Sequence, residues 1–502
     1  MSVPKVCGIE TEFGIMLRGA GESNPVTASS LLINAYLSDL QTTAVGPTPK
    51  VGWDFEDEQP GNDARGAGVG PASPPEIETH LVNAVLTNGA RYYVDHAHPE
   101  LSTPECADAR SVVVWDKAAE LILQRSMRAA RQMLPEGQEL IVHKNNSDGK
   151  ANSYGCHENY LMDRSTPFHQ IVVHATAHFV TRQIFTGSGK VGSEAPGVSR
   201  TEVPFQITQR ADFFEAEVGL ETTLKRPIVN TRDEPHADAQ KYRRLHVITG
   251  DANLSEVATY LKVGTTAIIL AMVEDDAIGE EFTFRSPVQA MRRVSYDLTL
   301  QRPLERTDGT SIRPIEVQWA LLEKAQKYAE THGLDMVGAE VGAEVLDLWE
   351  GVLTDLDDDP VKCADRIDWV AKHRLLQGYR ERHGADWTDP RVAAMALQYH
   401  DLRPERSLAQ RLGLRRITND AEVERAVSAP PDDTRAYFRG RCLAKWPEAI
   451  VAANWDSLVF DIGTDPLRRV PMMEPMRGTA KHVGTLLDEC TTPAELLARL
   501  GT

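Results

Sequence analysis

The sequence predicts an α+β protein, because strand and turn signals dominate the first part of the chain and helical periodicity dominates the second. Residues 3–15 alternate between the two faces of a strand, and residues 90–94 give a second strand signal. From about residue 314 onward, apolar residues recur at three- and four-residue spacing. Strands first and helices later favour α+β over an alternating parallel-sheet architecture.

Each element follows from its local pattern. A loop punctuated by proline follows the strand at 90–94, and strand and turn signals dominate residues 138–290. Amphipathic helices are expected at 111–133, 314–332, 340–356, 360–382 and 391–412, and in the C-terminal PAELLARL.

The chain is longer than a usual single domain, with 502 residues. The Pro-Pro pair at 430–431 predicts a boundary between a large domain, 1–430, and a small C-terminal domain, 431–502. Residues 45–78 are rich in Gly, Pro, Asp and Glu and poor in apolar residues. This composition predicts a long mobile loop inside the large domain.

Composition restricts the class of function. Hydrophobic residues make up 41% and charged residues 25%, as in ordinary globular proteins. The net charge of −19 argues against nucleic-acid binding, which needs a basic face. We find no apolar run near the roughly 20 residues of a membrane span. The N-terminal residues lack a signal-peptide layout, and six scattered cysteines indicate reduced thiols, so a cytoplasmic location is expected.

Positive charge nevertheless gathers in one stretch of the sequence. Within twenty residues lie six basic side chains, which are Lys225, Arg226, Arg232, Lys241, Arg243 and Arg244. We expect an acidic peptide to bind in a groove where these residues gather.

Glu10-Thr11-Glu12 is the first candidate for chemistry. Residues i and i+2 of a strand share a face and lie about 7 Å apart. Their carboxylates can converge on one hard cation or on a pair of cations. Taken alone, the tripeptide is more typical of the solvated face of an edge strand.

Residues 91–100 are the second and strongest candidate. Tyr93 and Asp95 share a strand face, and His96, His98 and Glu100 follow in what we expect to be a turn. Such a density of acids and histidines favours a reacting centre over a solvated turn. A carboxylate near a divalent cation stays ionised and can attack an electrophile or take a proton from water.

Two later segments supply further polar pairs on strands. His157 and Asn159 would point the same way, as would Arg244 and His246. Arginine suits phosphate because its fork of donors matches the oxygens, while His157 in isolation fits a buried structural histidine equally well. The sequence GSGK at 187–190 is rejected as a phosphate loop because Val191 replaces the required Ser or Thr.

Together these segments resemble the Pup ligase and depupylase family of the glutamine synthetase-like carboxylate–amine ligase superfamily. The resemblance rests on GIETEFGI at 8–15, LTNGARYYVDHAHPELSTPEC at 86–106, NSYGCHENYLM at 152–162, GLETTLKRPIVNTRDEPHAD at 219–238, YRRLHVITGDANLSE at 242–256 and DTRAYFRGRCL at 433–443. It implies a large glutamine synthetase-like domain with a curved, mainly antiparallel sheet cradle packed by helices.

Within the family, the chain resembles the members that remove Pup more than the ligases that attach it. The insertion at 45–78 is typical of the former, and the motif DHAHPE replaces the ligase-like DVGSHPE. The resemblance then implies deamidation of the C-terminal glutamine of Pup and hydrolysis of the isopeptide bond between Pup and lysine. Pup, pupylated proteins and a bacterial proteasome are the implied partners.

The resemblance also implies a role for individual residues. ATP with magnesium would be a bound cofactor, and Asp95 would be the catalytic carboxylate, acting as nucleophile or as general base. Arg210 and Arg232 would grip phosphate or the carboxylates of the terminal residue of Pup. Magnesium would be coordinated by Glu10, Tyr93, Glu100, His157 and His246. ATP would be held by Gly8, Ile9, Glu10, Thr11, Glu12, Ser102, Thr103, Asn159 and Arg244.

Three other functions compete with this interpretation. A Pup–protein ligase would consume ATP to join Pup to lysine, and the insertion argues against it. A catalytically silent Pup-binding regulator would release no ammonia, and the intact run of candidate ligands argues against that. A ligase of free amino acids would be expected to lack the long insertion.

Overall fold

In the computed structural model, the described residues are 2–21, 24–43, 51–56, 58–66, 81–279 and 282–501. Their strands are β1 (Cys7–Glu12), β2 (Gly14–Arg18), β3 (Gly52–Trp53), β4 (Asn83–Val85), β5 (Arg91–Asp95), β6 (His98–Ser102), β7 (Glu139–His143), β8 (Cys156–Asp163), β9 (Lys190–Val191), β10 (Phe205–Gln206), β11 (Phe214–Gly219), β12 (Arg226–Asn230), β13 (Tyr242–Val247), β14 (Leu304–Glu305), β15 (Ser311–Ile312), β16 (Ile450–Ala453), β17 (Ser457–Phe460) and β18 (Arg468–Pro471).

The helices frame these strands. They are α1 (Pro25–Thr43), α2 (Ala109–Met133), α3 (Phe168–Thr181), α4 (Gln183–Thr186), α5 (Glu256–Glu274), α6 (Pro287–Ser295), α7 (Pro314–His332), α8 (Ala339–Asp358), α9 (Asp368–His383), α10 (Pro390–Gln398), α11 (Leu408–Leu412), α12 (Asp420–Ala426), α13 (Ala436–Lys445), α14 (Ala480–Glu489) and α15 (Pro493–Leu500).

The main sheet has ten strands in the order β13-β8-β1-β6-β5-β4-β3-β16-β17-β18. Its neighbours pair antiparallel except β3 and β16, which are parallel. The predicted mainly antiparallel α+β architecture is therefore confirmed.

The two faces of β1 have different characters. Cys7, Ile9 and Thr11 are buried, whereas Gly8, Glu10 and Glu12 are only half-buried. The buried face belongs to a core that also contains the apolar residues of α5. The opposite face therefore carries the polar side chains of the sheet.

Several predicted elements are confirmed and others are corrected. Helices α2, α7, α8 and α15 lie where the periodicity placed them, α7 and α15 to the residue. Strands β7 to β13 lie in 138–290 as expected, but the region also contains helices α3, α4 and α5 and the start of α6, which the sequence did not predict. The helix expected at 391–412 is two helices, α10 and α11, and the one expected at 360–382 is a 3-10 turn (Pro360–Cys363) followed by α9.

The expected loop after β5 is also wrong. Only His96 and Ala97 form a turn, and His98–Ser102 returns as strand β6. The cross-strand pairs are Tyr93 with Glu100 and Asp95 with His98. A strand therefore positions Glu100 opposite Tyr93, where a flexible turn was expected.

Helix α5 was not predicted from the apolar runs of the sequence. In the described part of the chain it is the one helix long and apolar enough to cross a membrane, and that whole window is buried inside the protein. It is the central helix of the core behind the sheet.

The predicted loop at 45–78 is described only at 51–56 and 58–66, and its remaining residues lie outside the described ranges. Val51 and Trp53 are buried, and β3 pairs with both β4 and β16. The described part of the insertion is thus an integral strand of the main sheet.

The C-terminal segment has its own apolar cluster, which includes residues of α13, β16, β17 and α15. Its strands extend the main sheet through β3. Glu105 accepts hydrogen bonds from Arg435 at 2.7 Å and from Arg439. Burial would raise the pKa of Glu105, but these two charges lower it to about 2. The division at 430–431 stays a prediction.

Candidate active site

Strand register gathers the candidate residues on the polar face of the sheet. Strand β1 lies between β6 and β8, so Glu10 stands opposite both Ser102 and His157. Glu12 stands opposite Glu100. Directly opposite residues of antiparallel strands share a face, so five separate segments meet in one cleft.

The first group of candidate metal ligands consists of Glu10, His157 and His246, whose ligand atoms lie within 4.8 Å of one another. Asn159 Nδ2 donates to Glu10 Oε1 at 2.7 Å, and His246 Nδ1 lies 2.9 Å from Asn159 Oδ1. We assign the proton of His246 to Nδ1, because Asn159 Oδ1 can only accept. Such an arrangement fixes the imidazole and leaves Nε2 for a cation.

The residues around Glu10 lower its pKa. Burial opposes ionisation, but the hydrogen bond with His157 and the charges of His246 and Arg244 hold the pKa of Glu10 well below its usual range. Glu10 is therefore ionised and available as a ligand at neutral pH.

The second group consists of Glu12, Asp95 and Glu100, also with ligand atoms within 4.8 Å of one another. Burial, followed by the charges of Asp95, Glu12 and Glu10, raises the pKa of Glu100 well above its usual value. Three carboxylates this close repel one another unless a proton or a cation intervenes. Their all-oxygen donor set fits magnesium, whereas imidazoles in the first group also suit softer divalent ions.

Glu12 changes its expected role. The family resemblance implies that Glu12 holds ATP, whereas its carboxylate lies with those of Asp95 and Glu100. Glu12 Oε1 also accepts a hydrogen bond from the backbone of Gly155 at 2.8 Å. Of the five predicted magnesium ligands, Glu10, His157 and His246 form the first group, and Glu100 lies in the second with Glu12 and Asp95.

Tyr93 faces the same cleft from β5. Its side chain is buried, and Ser102 Oγ lies 3.5 Å from its hydroxyl. Burial and the charge of Glu100 raise the pKa of Tyr93 well above its usual value, so it offers a neutral phenol oxygen.

Asp95 lies at the end of β5, where its side chain is 38% exposed. His96 Nδ1 lies 2.9 Å from Asp95 Oδ2, and the backbone of His96 has a φ of 51° at the hairpin tip. Burial opposes ionisation of Asp95, but His96, His157 and Arg91 lower its pKa. The carboxylate is therefore ionised, close to the second group and accessible to a substrate.

His98 has a structural role. Its Nδ1 lies 3.0 Å from the carbonyl oxygen of Phe13, and its ring stacks on Tyr154 at 4.2 Å between centroids. These contacts hold the β5–β6 hairpin against the segment that carries His157.

A cavity adjoins the first group. Seven of the predicted nucleotide-binding residues line it, namely Gly8, Ile9, Glu10, Ser102, Thr103, Asn159 and Arg244. A Cβ at Gly8 would approach Thr103 Oγ1 to 3.1 Å, so glycine keeps this wall close. Thr11 does not line the cavity, because its side chain is buried on the opposite face beside Cys156.

The far wall of this cavity was missed. It is formed by Glu105, Pro235, His236, Arg435, Trp455 and Pro475. The motif at 433–443 contains Arg435 and was noted without a role. Trp455 and Pro475 carried no local signal, because only the C-terminal fold brings them to β1.

The predicted arginines lie at different ends of the cleft. Arg244 Nη1 donates to Asn159 Oδ1 at 2.6 Å, and its Nε donates to the carbonyl oxygen of Glu234 at 2.7 Å. Arg232 acts electrostatically on Arg244 and His246, so it lies near the first group. Arg210 donates to the carbonyl oxygen of Tyr154 at 2.6 Å and interacts with Glu12, which places it beside the second group.

At each end of the cleft, an arginine has a buried N–H group without a hydrogen-bond partner among the described residues. The Nε atoms of Arg210 and Arg232 have no hydrogen-bond partner among the described residues. Burial and the nearby charge of Arg226 lower the pKa of Arg210 to about 10. An anionic ligand in the cleft would satisfy these cations.

The expected gathering of six basic residues is only partial. Arg243 is buried and donates to the carbonyl oxygen of Thr166, on the opposite strand face from Arg244. Lys241 forms an ion pair with Glu474. Arg226, Arg232 and Arg244 are the members of this set that lie beside the cleft.

Magnesium binding is expected to release protons, because the pKa of Glu100 is raised well above its usual value and a cation competes with the proton for the same carboxyl oxygens. Affinity should therefore fall as the pH is lowered. Titration calorimetry in two buffers of different ionisation enthalpy measures the release. Equal heats in both buffers would contradict the prediction, and Glu100→Gln should abolish the difference between buffers.

Comparison with known sequences finds a family and full-length relatives. A family model described as Pup-ligase protein matches residues 5–459. A protein of Acidothermus cellulolyticus named Depupylase is 51% identical over 509 residues, with 99% of each chain covered. The Pup deamidase/depupylase of Mycolicibacterium smegmatis is 44% identical, again with 99% of each chain covered. The Pup–protein ligase of Kineococcus radiotolerans is 39% identical over 81% of this chain and 90% of its own.

Two solved structures share the fold. The complex between the prokaryotic ubiquitin-like protein Pup and its ligase PafA has a TM-score of 0.79 at 28% identity, and it covers 99% of this chain and 94% of the ligase. PafA in complex with ADP has a TM-score of 0.72 at 33% identity, with 81% and 89% covered. The predicted glutamine synthetase-like α+β fold is confirmed, and the chain belongs to the Pup-ligase protein family.

Proposed function

We propose that this chain deamidates the C-terminal glutamine of Pup to glutamate and hydrolyses the isopeptide bond between Pup and substrate lysines. The observation that carries the proposal is similarity along the whole chain to a depupylase, at 51% identity. The Asp95 carboxylate provides the chemistry, since its pKa is lowered, its side chain is 38% exposed and it lies beside Glu12 and Glu100.

We further propose that the cleft binds ATP with magnesium as cofactor. Supporting this are the cavity beside Glu10, the two groups of candidate ligands, and the ADP carried by the related ligase. Glu10, His157 and His246 would hold one cation, Glu12 and Glu100 a second, and Arg244 with Arg232 the phosphates. When bound, magnesium would supply positive charge that stabilises the developing oxyanion of the substrate.

Asp95, His96 and Arg210 have different roles in the proposed reaction. Asp95 attacks the side-chain carbonyl carbon of the terminal glutamine, or takes a proton from the water that does so. In the first case an anhydride forms as the nitrogen takes a proton from water and departs as ammonia or the lysine amine, and the hydroxide left behind then opens the anhydride. His96 orients the Asp95 carboxylate, and Arg210 stands near enough to the second group to bind a substrate carboxylate.

The second candidate function is Pup–protein ligation, favoured by the fold shared with PafA. The ligase relative covers 81% of this chain, whereas the depupylase covers 99%. The insertion at 45–78 also argues for the hydrolase. We propose a cytoplasmic location in a proteasome pathway, supported by six buried free thiols.

Ammonia release tests this function directly. Glutamine-ended Pup, magnesium and ATP are incubated with the chain, and ammonia is measured enzymatically. We expect catalytic turnover, because the Asp95 carboxylate has a lowered pKa and is accessible to a substrate amide. A chain that instead joins glutamate-ended Pup to lysine while consuming ATP would be a ligase.

A further inference from the structure

Arg91 lies at the centre of an aromatic sandwich on the catalytic face. Its guanidinium carbon is 3.9 Å from the ring centroid of Trp53 and 4.0 Å from that of Tyr93. Its Nε donates to Asn83 Oδ1 at 3.0 Å, which fixes the plane of the group. A planar guanidinium can stack on two rings at once.

The Trp53 side of the sandwich is itself held in place. Trp53 Nε1 donates to Glu58 Oε1 at 2.5 Å, and Glu58 lies 3.9 Å from Arg91. The ring of Trp53 meets that of Trp455 edge-on at 5.2 Å, and Trp455 lines the cavity. The insertion therefore supplies one plate of the sandwich and rests against the cavity wall.

The Tyr93 side is held by Arg91 at the face of the ring and by polar neighbours at the hydroxyl. The hydroxyl of Tyr93 has Ser102 Oγ at 3.5 Å, a long contact that constrains the ring weakly. Its cross-strand neighbour is Glu100 of the second group. Glu100 interacts with the hydroxyl of Tyr93, whereas Arg91 packs on the face of the ring and so constrains the plane of the phenol.

We propose that Arg91 is a positioning residue that holds Tyr93 against the metal groups, and that Trp53 of the insertion completes the clamp. The inference rests on the proposed function in taking Tyr93 as a ligand of the cofactor's magnesium. Lysine cannot replace Arg91, because its ammonium has no plane to stack between two rings.

The clamp is tested by the magnesium dependence of nucleotide binding, followed with a fluorescent ATP analogue. Arg91→Ala and Trp53→Ala should each raise the magnesium concentration for half-saturation by about tenfold, as loss of an outer-sphere partner does. The double variant should be no weaker than the weaker single variant, because both break one clamp. Trp53→Phe should retain most of the affinity, whereas Arg91→Lys should not.

Arg469→Ala is the matched control. Arg469 binds Asp54 at 2.6 Å and Glu56 at 2.5 Å, so it ties the same insertion to β18 without reaching Tyr93. It should leave the magnesium dependence unchanged. An equal shift in Arg469→Ala, or none in a folded Arg91→Ala, overturns the proposal. Thermal melting checks that each variant is folded. If Arg91→Ala is unstable, Trp53→Ala tests the clamp in its place.

These experiments distinguish failure of the clamp proposal from failure of the proposed hydrolase function. If the wild-type chain releases no ammonia but Arg91→Ala still shifts the magnesium dependence, the clamp stands and the hydrolase function falls. If ammonia is released and Arg91→Ala binds magnesium nucleotide as the wild type does, the clamp falls alone.

Discussion

Asp95→Asn is expected to reduce ammonia release from glutamine-ended Pup by more than about a thousandfold, as loss of an essential catalytic group does. The amide is nearly the same size but is neither a nucleophile nor a base. Nucleotide binding should persist, because the ligands Glu10, His157 and His246 remain. Initial rates and nucleotide titration on the same preparation measure both effects.

Asp488→Asn provides the control, since Asp488 is an exposed carboxylate paired with Arg441 far along the chain. Near-normal activity of Asp95→Asn would mean that another group does the chemistry. Hydroxylamine separates the two roles of Asp95. An anhydride would be intercepted as a Pup hydroxamate, whereas direct attack by water would give only glutamate.

Gly155→Ala is expected to abolish magnesium-dependent nucleotide binding and with it activity. A Cβ at Gly155 would lie 2.2 Å from His157 Nε2 and 2.7 Å from Glu12 Oε1, so one residue of each metal group must move. Displacing ligands by such distances should cost at least about tenfold in metal affinity. The measurement is magnesium titration with the fluorescent nucleotide.

The matched control is Gly351→Ala in α8, where a Cβ meets nothing within 4 Å. Alanine suits a helix interior, so this variant should bind and fold as well as the wild type. Unchanged magnesium binding in Gly155→Ala would show that His157 and Glu12 are not ligands.

Helices with one exposed polar face could be predicted from the sequence, whereas elements buried on all sides could not. Helices α7 and α15 were located to the residue, because each begins with proline and has one apolar face. Helix α5 is buried throughout and has no polar face, so periodicity gave no signal. Strand β6 was missed because Pro99 interrupts it, although Pro99 pairs opposite Val94.

The sequence identified most residues of the site, but it did not show which of them lie together across neighbouring strands. Strand phase placed Glu10 with Glu12 and Tyr93 with Asp95, since it depends on neighbouring positions alone. Which residue faces which across strands depends on register, and register set Glu12 opposite Glu100. The cavity wall at Trp455 depends on pairing between β3 and β16, residues far apart in the chain.

The most direct test of the central claim is the ratio of ammonia released to ATP consumed on glutamine-ended Pup with magnesium. A hydrolase with bound nucleotide should release many equivalents of ammonia for each ATP lost, and mass spectrometry should find glutamate at the end of Pup. No ammonia from a nucleotide-bound chain, or ATP consumed in step with attachment of Pup to lysine, would contradict the account.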